Sequence, residues 1–153
     1  MQKKQDIIAM SNVDFDNFMC QKFSELFQNR NKSIETTCMA WGFEIPQVWQ
    51  YLIFELCEKL DIIRKYCNIN IIVDQVKEKF GILRFYYTIE YTYKNLKLKE
   101  DHIIIDNIIC NLISTAEEQS AYICNNCGSM LLNKKTKGFY NYCVDCSKLL
   151  EID

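Results

Sequence analysis

Four cysteines near the C-terminus have the types and spacing to do chemistry. They read Cys124-Asn125-Asn126-Cys127 and, after fifteen intervening residues, Cys143-Val144-Asp145-Cys146. A two-residue loop turns both thiolates of a CxxC toward one point. Two such knuckles supply four soft ligands to a tetrahedral cation, with Zn–S near ~2.3 Å, which predicts one structural Zn2+ held by Cys124, Cys127, Cys143 and Cys146. Four thiolates leave no position for water or substrate, so this metal is expected to build shape and to do no catalysis.

Other residues are weaker candidates for chemistry. Asp74 precedes a hairpin holding Glu78 and Lys79, superficially a metal-dependent nuclease core. In such a core the second acid and the lysine lie one residue apart on the returning strand. Glu78 and Lys79 are adjacent and in the expected turn, so they cannot both face one cation. His102, the sole histidine, reads as an exposed residue at a helix start, with no cysteine placed beside it by the sequence. The chain has no Walker loop, GxSxG, HExxH or GxGxxG. The expectation is a protein that is not an enzyme. A basic and aromatic set could instead meet a partner: Lys77, Lys79, Phe80 and Arg84 on the hairpin, and Lys134, Lys135 and Lys137 between the knuckles. The competing reading is a solvated turn with Phe80 tucked into the core.

These residues need elements to hold them. The chain has 153 residues, 49% hydrophobic and 25% charged, with net charge −2. That is globular composition, and the net charge alone points to neither nucleic acid nor membrane. No apolar run is long enough to span a membrane and the N-terminus does not read as a signal peptide, so a cytoplasmic location in a reducing compartment is expected. Cys20, Cys38, Cys57, Cys67 and Cys110 read as small buried hydrophobes, with no disulfide framework.

Asp14 is a candidate N-cap for a helix with Phe15, Phe18, Met19, Phe23, Leu26 and Phe27 on one stripe. A second helix is expected from Pro46 to about Cys67, burying Val48, Trp49, Leu52, Ile53, Leu56, Leu60 and Ile63. Residues 69–76 read as a strand, 77–81 as a turn with Gly81 left-handed, and Ile82 to Tyr93 as the returning strand. A third helix should begin at Asp101 or His102, with Ile104, Ile105, Ile108, Ile109, Leu112, Ile113 and Ala116 apolar. Residues 129–132 and 138–142 read as two strands around a turn at Lys134–Lys137. The predicted fold is α+β: a hairpin-centred sheet packed by helices in residues 1–121, then a zinc ribbon in 122–153 docked on it.

Gln75-Val76-Lys77-Glu78-Lys79-Phe80-Gly81-Ile82-Leu83-Arg84-Phe85-Tyr86-Tyr87 resembles the QVKEKFGGLRFYY signature of a family of small phage and prophage proteins. Gly42-Phe43-Glu44, Trp49 and Leu56-Cys57 resemble its GFE…GW…LC segment. Ala116-Glu117-Glu118-Gln119-Ser120 with Cys124, Cys127 and Gly128 resembles its AE..S…C..CG pattern, and Phe139 to Cys146 its closing GW…C..C. The resemblance spans roughly residues 37–147. Ile82 stands where the family has a second Gly, and Phe139 where it has Trp.

The resemblance implies a mobile-element origin and no activity. With the small size, the acidity and the missing catalytic set, it leads to one expectation: an accessory protein that binds and modulates a host protein, such as a CRISPR effector or another defence nuclease, in an anti-CRISPR manner. The alternative is a nucleic-acid-binding regulator that uses the ribbon and the basic hairpin tip.

Overall fold

The computed structural model describes residues 2–91 and 99–152. Helices α1 (Gln2–Ile8) and α2 (Asn12–Lys22) open the chain. The N-cap of α2 is Ser11 rather than the expected Asp14. Its hydroxyl accepts from the Asp14 N–H and donates to the Asp14 carboxylate, so Asp14 closes a capping pair from inside the first turn. Phe15, Met19, Phe23, Leu26 and Phe27 are buried as the stripe predicts, although the α-helix ends at Lys22 and turns continue the chain.

The aperiodic stretch that follows hides a strand. After a 3-10 turn, Cys38–Trp41, comes β1 (Phe43–Glu44), which runs parallel to β2 (Asn70–Lys79) with Phe43 opposite Val76. A second 3-10 turn, Gln47–Trp49, leads into α3 (Gln50–Cys67). Trp49, Ile53, Phe54, Leu56, Cys57 and Leu60 are buried at helical spacing, and Asn68 ends the helix in the left-handed region.

β2 pairs antiparallel with β3 (Ile82–Glu90). The buried residues of β2 are Ile71, Val73 and Val76, a spacing that breaks strict alternation. A bulge between Val73 and Gln75 absorbs the extra residue, Asp74, and returns Val76 to the core face opposite Phe85. The strands run on to Lys79, so the turn is not the expected five residues. It is Phe80–Gly81 alone, with φ of 55° and 75°. Two left-handed residues give the twist that a two-residue hairpin requires. Tyr93, expected to end the strand, lies outside the described residues.

Helix α4 (Lys99–Ser120) lies against β3 and α3. It starts before Asp101, so His102 is inside the helix, half-buried and stacked on Tyr91 at 3.9 Å. Ile105, Ile109, Ile113 and Ala116 are buried, while Ile104 and Ile108 of the expected apolar face are exposed. Two residues of the AE..S segment close the outer edge of the sheet. The Leu83 N–H donates to Ser120 Oγ at 2.8 Å and the Phe85 N–H to Glu117 Oε1 at 2.9 Å. The other Glu117 oxygen lies 3.6 Å from Arg84 Nη1. The helix therefore covers an edge that would otherwise offer unpaired N–H groups. Ser120 and Leu83 are both buried. Ser120→Ala is expected to strand the Leu83 N–H and to cost about 1–3 kcal/mol in urea unfolding, with faster hydrogen exchange at Leu83. Unchanged stability would remove the edge-capping role.

The remaining five cysteines form no disulfide, but only Cys57 is fully buried. Cys20 and Cys67 are half-buried, and Cys38 and Cys110 are exposed, contrary to the expectation. No helix among the described residues is long and apolar enough to cross a membrane.

Candidate metal centre

The C-terminal module holds β4 (Lys135–Lys137), β5 (Tyr140–Tyr142) and the short helix α5 (Val144–Leu149). The expected turn residues Lys135 and Lys137 are in β4. The turn is Gly138–Phe139, with Gly138 at φ +62°. A two-residue connection needs a left-handed residue, and Gly138 supplies it. Of the other expected strand, Met130 forms only an isolated bridge with Ile123.

The four sulfurs of Cys124, Cys127, Cys143 and Cys146 lie within 4.8 Å of one another, and those of Cys127 and Cys143 are 3.8 Å apart. A tetrahedron with metal–sulfur bonds of ~2.3 Å has edges of about 3.8 Å, so the donors fit a single tetrahedral ion. Among the described residues, this is the one group of His, Cys, Asp or Glu close enough to hold a metal.

The surrounding N–H groups favour thiolates. The Cys143 N–H points to Cys124 Sγ at 3.3 Å, the Cys146 N–H to Cys143 Sγ at 3.4 Å, and the Asn126 amide to Cys146 Sγ at 3.3 Å. Cys143 is also the N-cap of α5. Its thiol is drawn down to about 6, first by the Cys146 N–H. Burial opposes ionisation of Cys124, but the N–H groups of Cys127, Cys143 and Asn126 outweigh it and its pKa falls. At Cys146 the Asn126 amide favours the thiolate, yet the neighbouring thiols, Cys143 foremost, push it up to about 12. Four thiolates crowded together cannot all ionise unaided, and a bound dication removes that repulsion.

Asparagines tie the knuckles to the body, a role that sequence reasoning missed. Asn141 is buried; its amide donates to the Ala121 carbonyl at 2.9 Å and its N–H to Asn125 Oδ1 at 3.0 Å. Their place beside ligand cysteines was the available signal. A second attachment joins the hairpin to the module. A Cβ built on Gly81 would lie 1.7 Å from the Phe139 carbonyl oxygen, so the two turns meet backbone to backbone. Phe80 is not tucked into the core. It is 60% exposed and its ring packs on Phe139 with centroids 5.1 Å apart.

The basic set is divided. Lys77 lies over Tyr86 and Lys79 over Phe80, both on β2 rather than in the turn. Lys135 and Lys137 are exposed on β4, Lys134 lies over Tyr122, and Arg84 is turned to Glu117. Asp74 accepts from the Thr88 hydroxyl at 2.8 Å.

No family model, curated protein or solved structure matches this chain.

Proposed function

We propose that the protein is a non-catalytic binding protein of phage or mobile-element origin, that its C-terminal module is a zinc ribbon holding one structural Zn2+, and that it docks on and modulates a host protein. The observation that carries this reading is an apolar groove between α3 and α4. One part, about 310 Å³, is lined by Leu52, Leu56, Ile108, Leu112 and Ala116. A second part, about 160 Å³, continues along Val48 and Tyr51 to Gly128 and Met130 of the first knuckle, sharing Leu52, Glu55 and Gln119 with the first. The metal module thus completes one end of the groove. Residues 101–123 hold four acids and no Lys or Arg. Of these, Asp106 and Glu117 are engaged with Tyr91 and β3. Glu118 lies on the Arg84 side of α4, and the charged groups in the groove itself are Glu55, Lys59 and, at its far end, Lys4.

The occupant is a segment presenting apolar side chains with a Lys or Arg to meet Glu55, as a basic nucleic-acid-handling protein would present. A defence nuclease, blocked in the anti-CRISPR manner within the bacterial cytoplasm, is the target class this favours. The phage-signature residues support the origin.

The test compares wild type with Ile108→Glu, a substitution at a half-exposed groove position that leaves the core intact. Wild type should retain one host protein at one-to-one stoichiometry, and reconstitution with that purified protein should lower its activity. Ile108→Glu should weaken the complex at least about tenfold, as truncating a central apolar anchor does. Equal retention by the variant, or no stoichiometric partner for wild type, sinks the reading.

A further inference from the structure

The two turns that meet at the module each place a phenylalanine beside a left-handed glycine, and neither ring is buried. Phe80 adopts φ 55°, a conformation for which Asn, Asp or Gly is the usual choice, and it is 60% exposed. Burial therefore does not offset the strain. The Phe80 ring contact is with Phe139, itself exposed, and backbone strain held for so little burial points to a further use of the side chain. Phe139 is 61% exposed, and the two rings stand 5.1 Å apart at 59°. Tyr86, 44% exposed, lies on the same outward row of the sheet as Lys77 and Arg84, with the Lys77 ammonium over its ring.

The charge around these rings is one-sided. Residues 75–87 and 128–144 together contain six Lys and Arg and a single acid, Glu78, in a chain of net charge −2; Arg84 is turned to Glu117 of α4, which leaves five lysines for a ligand. Glu78 Oε1 is occupied by the Gly81 N–H. Such a patch on an acidic protein is a local anion site.

We propose that this junction binds single-stranded nucleic acid. Unpaired bases stack on Phe80 and Phe139, and phosphates pass along Lys77, Lys79, Lys135 and Lys137. Exposed rings beside lysines suit this ligand because every base offers a face and every linkage a charge. A duplex hides its base faces. An acidic protein would use the lysines and leave the solvent-facing sides of the Phe80 and Phe139 rings unused. The surface shares no residue with the groove between α3 and α4, so it stands or falls separately. It depends on the cysteine module, because Phe139 is placed by β4 and β5, and β5 runs into Cys143.

The experiment uses the full metal-loaded chain and short labelled oligothymidylate, oligouridylate and a duplex, followed by fluorescence anisotropy across salt concentrations. Both single strands should bind, or one of them if the 2′-hydroxyl is read, and the duplex at least about tenfold more weakly. Affinity should fall with salt. Lys79→Gln with Lys137→Gln should flatten the log–log salt slope by about 1.4, since each phosphate no longer neutralised removes about 0.7. Phe80→Asn creates the Asn-Gly pair the turn prefers, so the hairpin stays formed while one stacking platform is removed. Binding by this variant should weaken about 5- to 150-fold with metal content unchanged. Four results overturn the proposal: no retention at low salt, equal affinity for the duplex, wild-type affinity in Phe80→Asn, or equal displacement by polyglutamate, which would assign the patch to an acidic protein.

Discussion

Removing the metal with a strong chelator, or replacing Cys146 with Ser, is expected to unfold residues 122–152 and leave the α/β body folded. The module has almost no core of its own. Its buried cluster is Cys124, Leu131 and Cys146, with Tyr142 and Cys143 partly buried against them. Two of the three buried members belong to the four-cysteine site. A unit this small cannot offset its chain entropy by burial, so a metal held by the four cysteines would supply the missing folding free energy. For structural zinc in isolated fingers that contribution is about 10–16 kcal/mol near neutral pH. A serine at position 146 removes a thiolate and leaves three ligands where four closed the site. The body has a separate cluster running through Phe15, Trp49, Phe54, Val73, Phe85 and Ile109. Hydrogen exchange and limited proteolysis should therefore show reduced protection after Ala121, with amides of α3 and β2 still slow. Acid should act in the same direction, because protons compete with the metal for the thiolates and occupancy falls as pH falls. A metal-free or Cys146→Ser protein with wild-type protection across 122–152 would refute the structural role of the ion.

Gly81→Ala is expected to destabilise by about 2–5 kcal/mol, combining a left-handed alanine with overpacking at a backbone contact. Gly81 has φ +75°, and its added methyl would fall 1.7 Å from the Phe139 carbonyl oxygen and 2.7 Å from the carbonyl carbon. Neither is the end of a flexible side chain, so the module must move off the hairpin. Gly138→Ala is the control. It is also left-handed, at φ +62°, but a Cβ there meets nothing within 4 Å. It should cost only the conformational term, about 1–2 kcal/mol. Urea unfolding of both variants separates close approach from backbone conformation. Equal destabilisation would mean that the hairpin and the module do not touch as described.

That contact joins two segments that are nearly sixty residues apart in sequence. The KFG of the hairpin meets the Gly-Phe of the module, and the Glu and Ser of the AE..S segment hold the edge N–H groups of the Leu-Arg-Phe that follows KFG. Each segment was visible as a string. That they touch was not, because side-chain spacing carries no information about which distant backbone will lie alongside.

Local rules accounted for much of the rest. The stripe after Asp14, the helix after Pro46, the hairpin and the four-cysteine cluster all follow from periods of 3.6 and 2 and from knuckle geometry, which act over a few residues. The failures share a cause. Ser11 rather than Asp14 caps α2 because both can, and the hydrogen bond chooses. The turn shrank to Phe80–Gly81 because pairing with β3 extended β2 past a bulge that no alternation pattern reveals. β1, two residues long, exists only because β2 lies beside it. Ile104 and Ile108 look as apolar as Ile105 and Ile109, and only packing against β3 and α3 leaves the first pair outside.

What the sequence determined by itself is the set of thiolates able to meet at one ion, since a CxxC brings its own sulfurs together. What the tertiary structure alone decided is the company that centre keeps. The module completes a groove on α3 and α4 at Gly128 and Met130, and sets Phe139 beside Phe80. Ligand spacing is a local property of the chain. The surface those ligands support is made from residues far apart in sequence, and only the folded backbone brings them within reach.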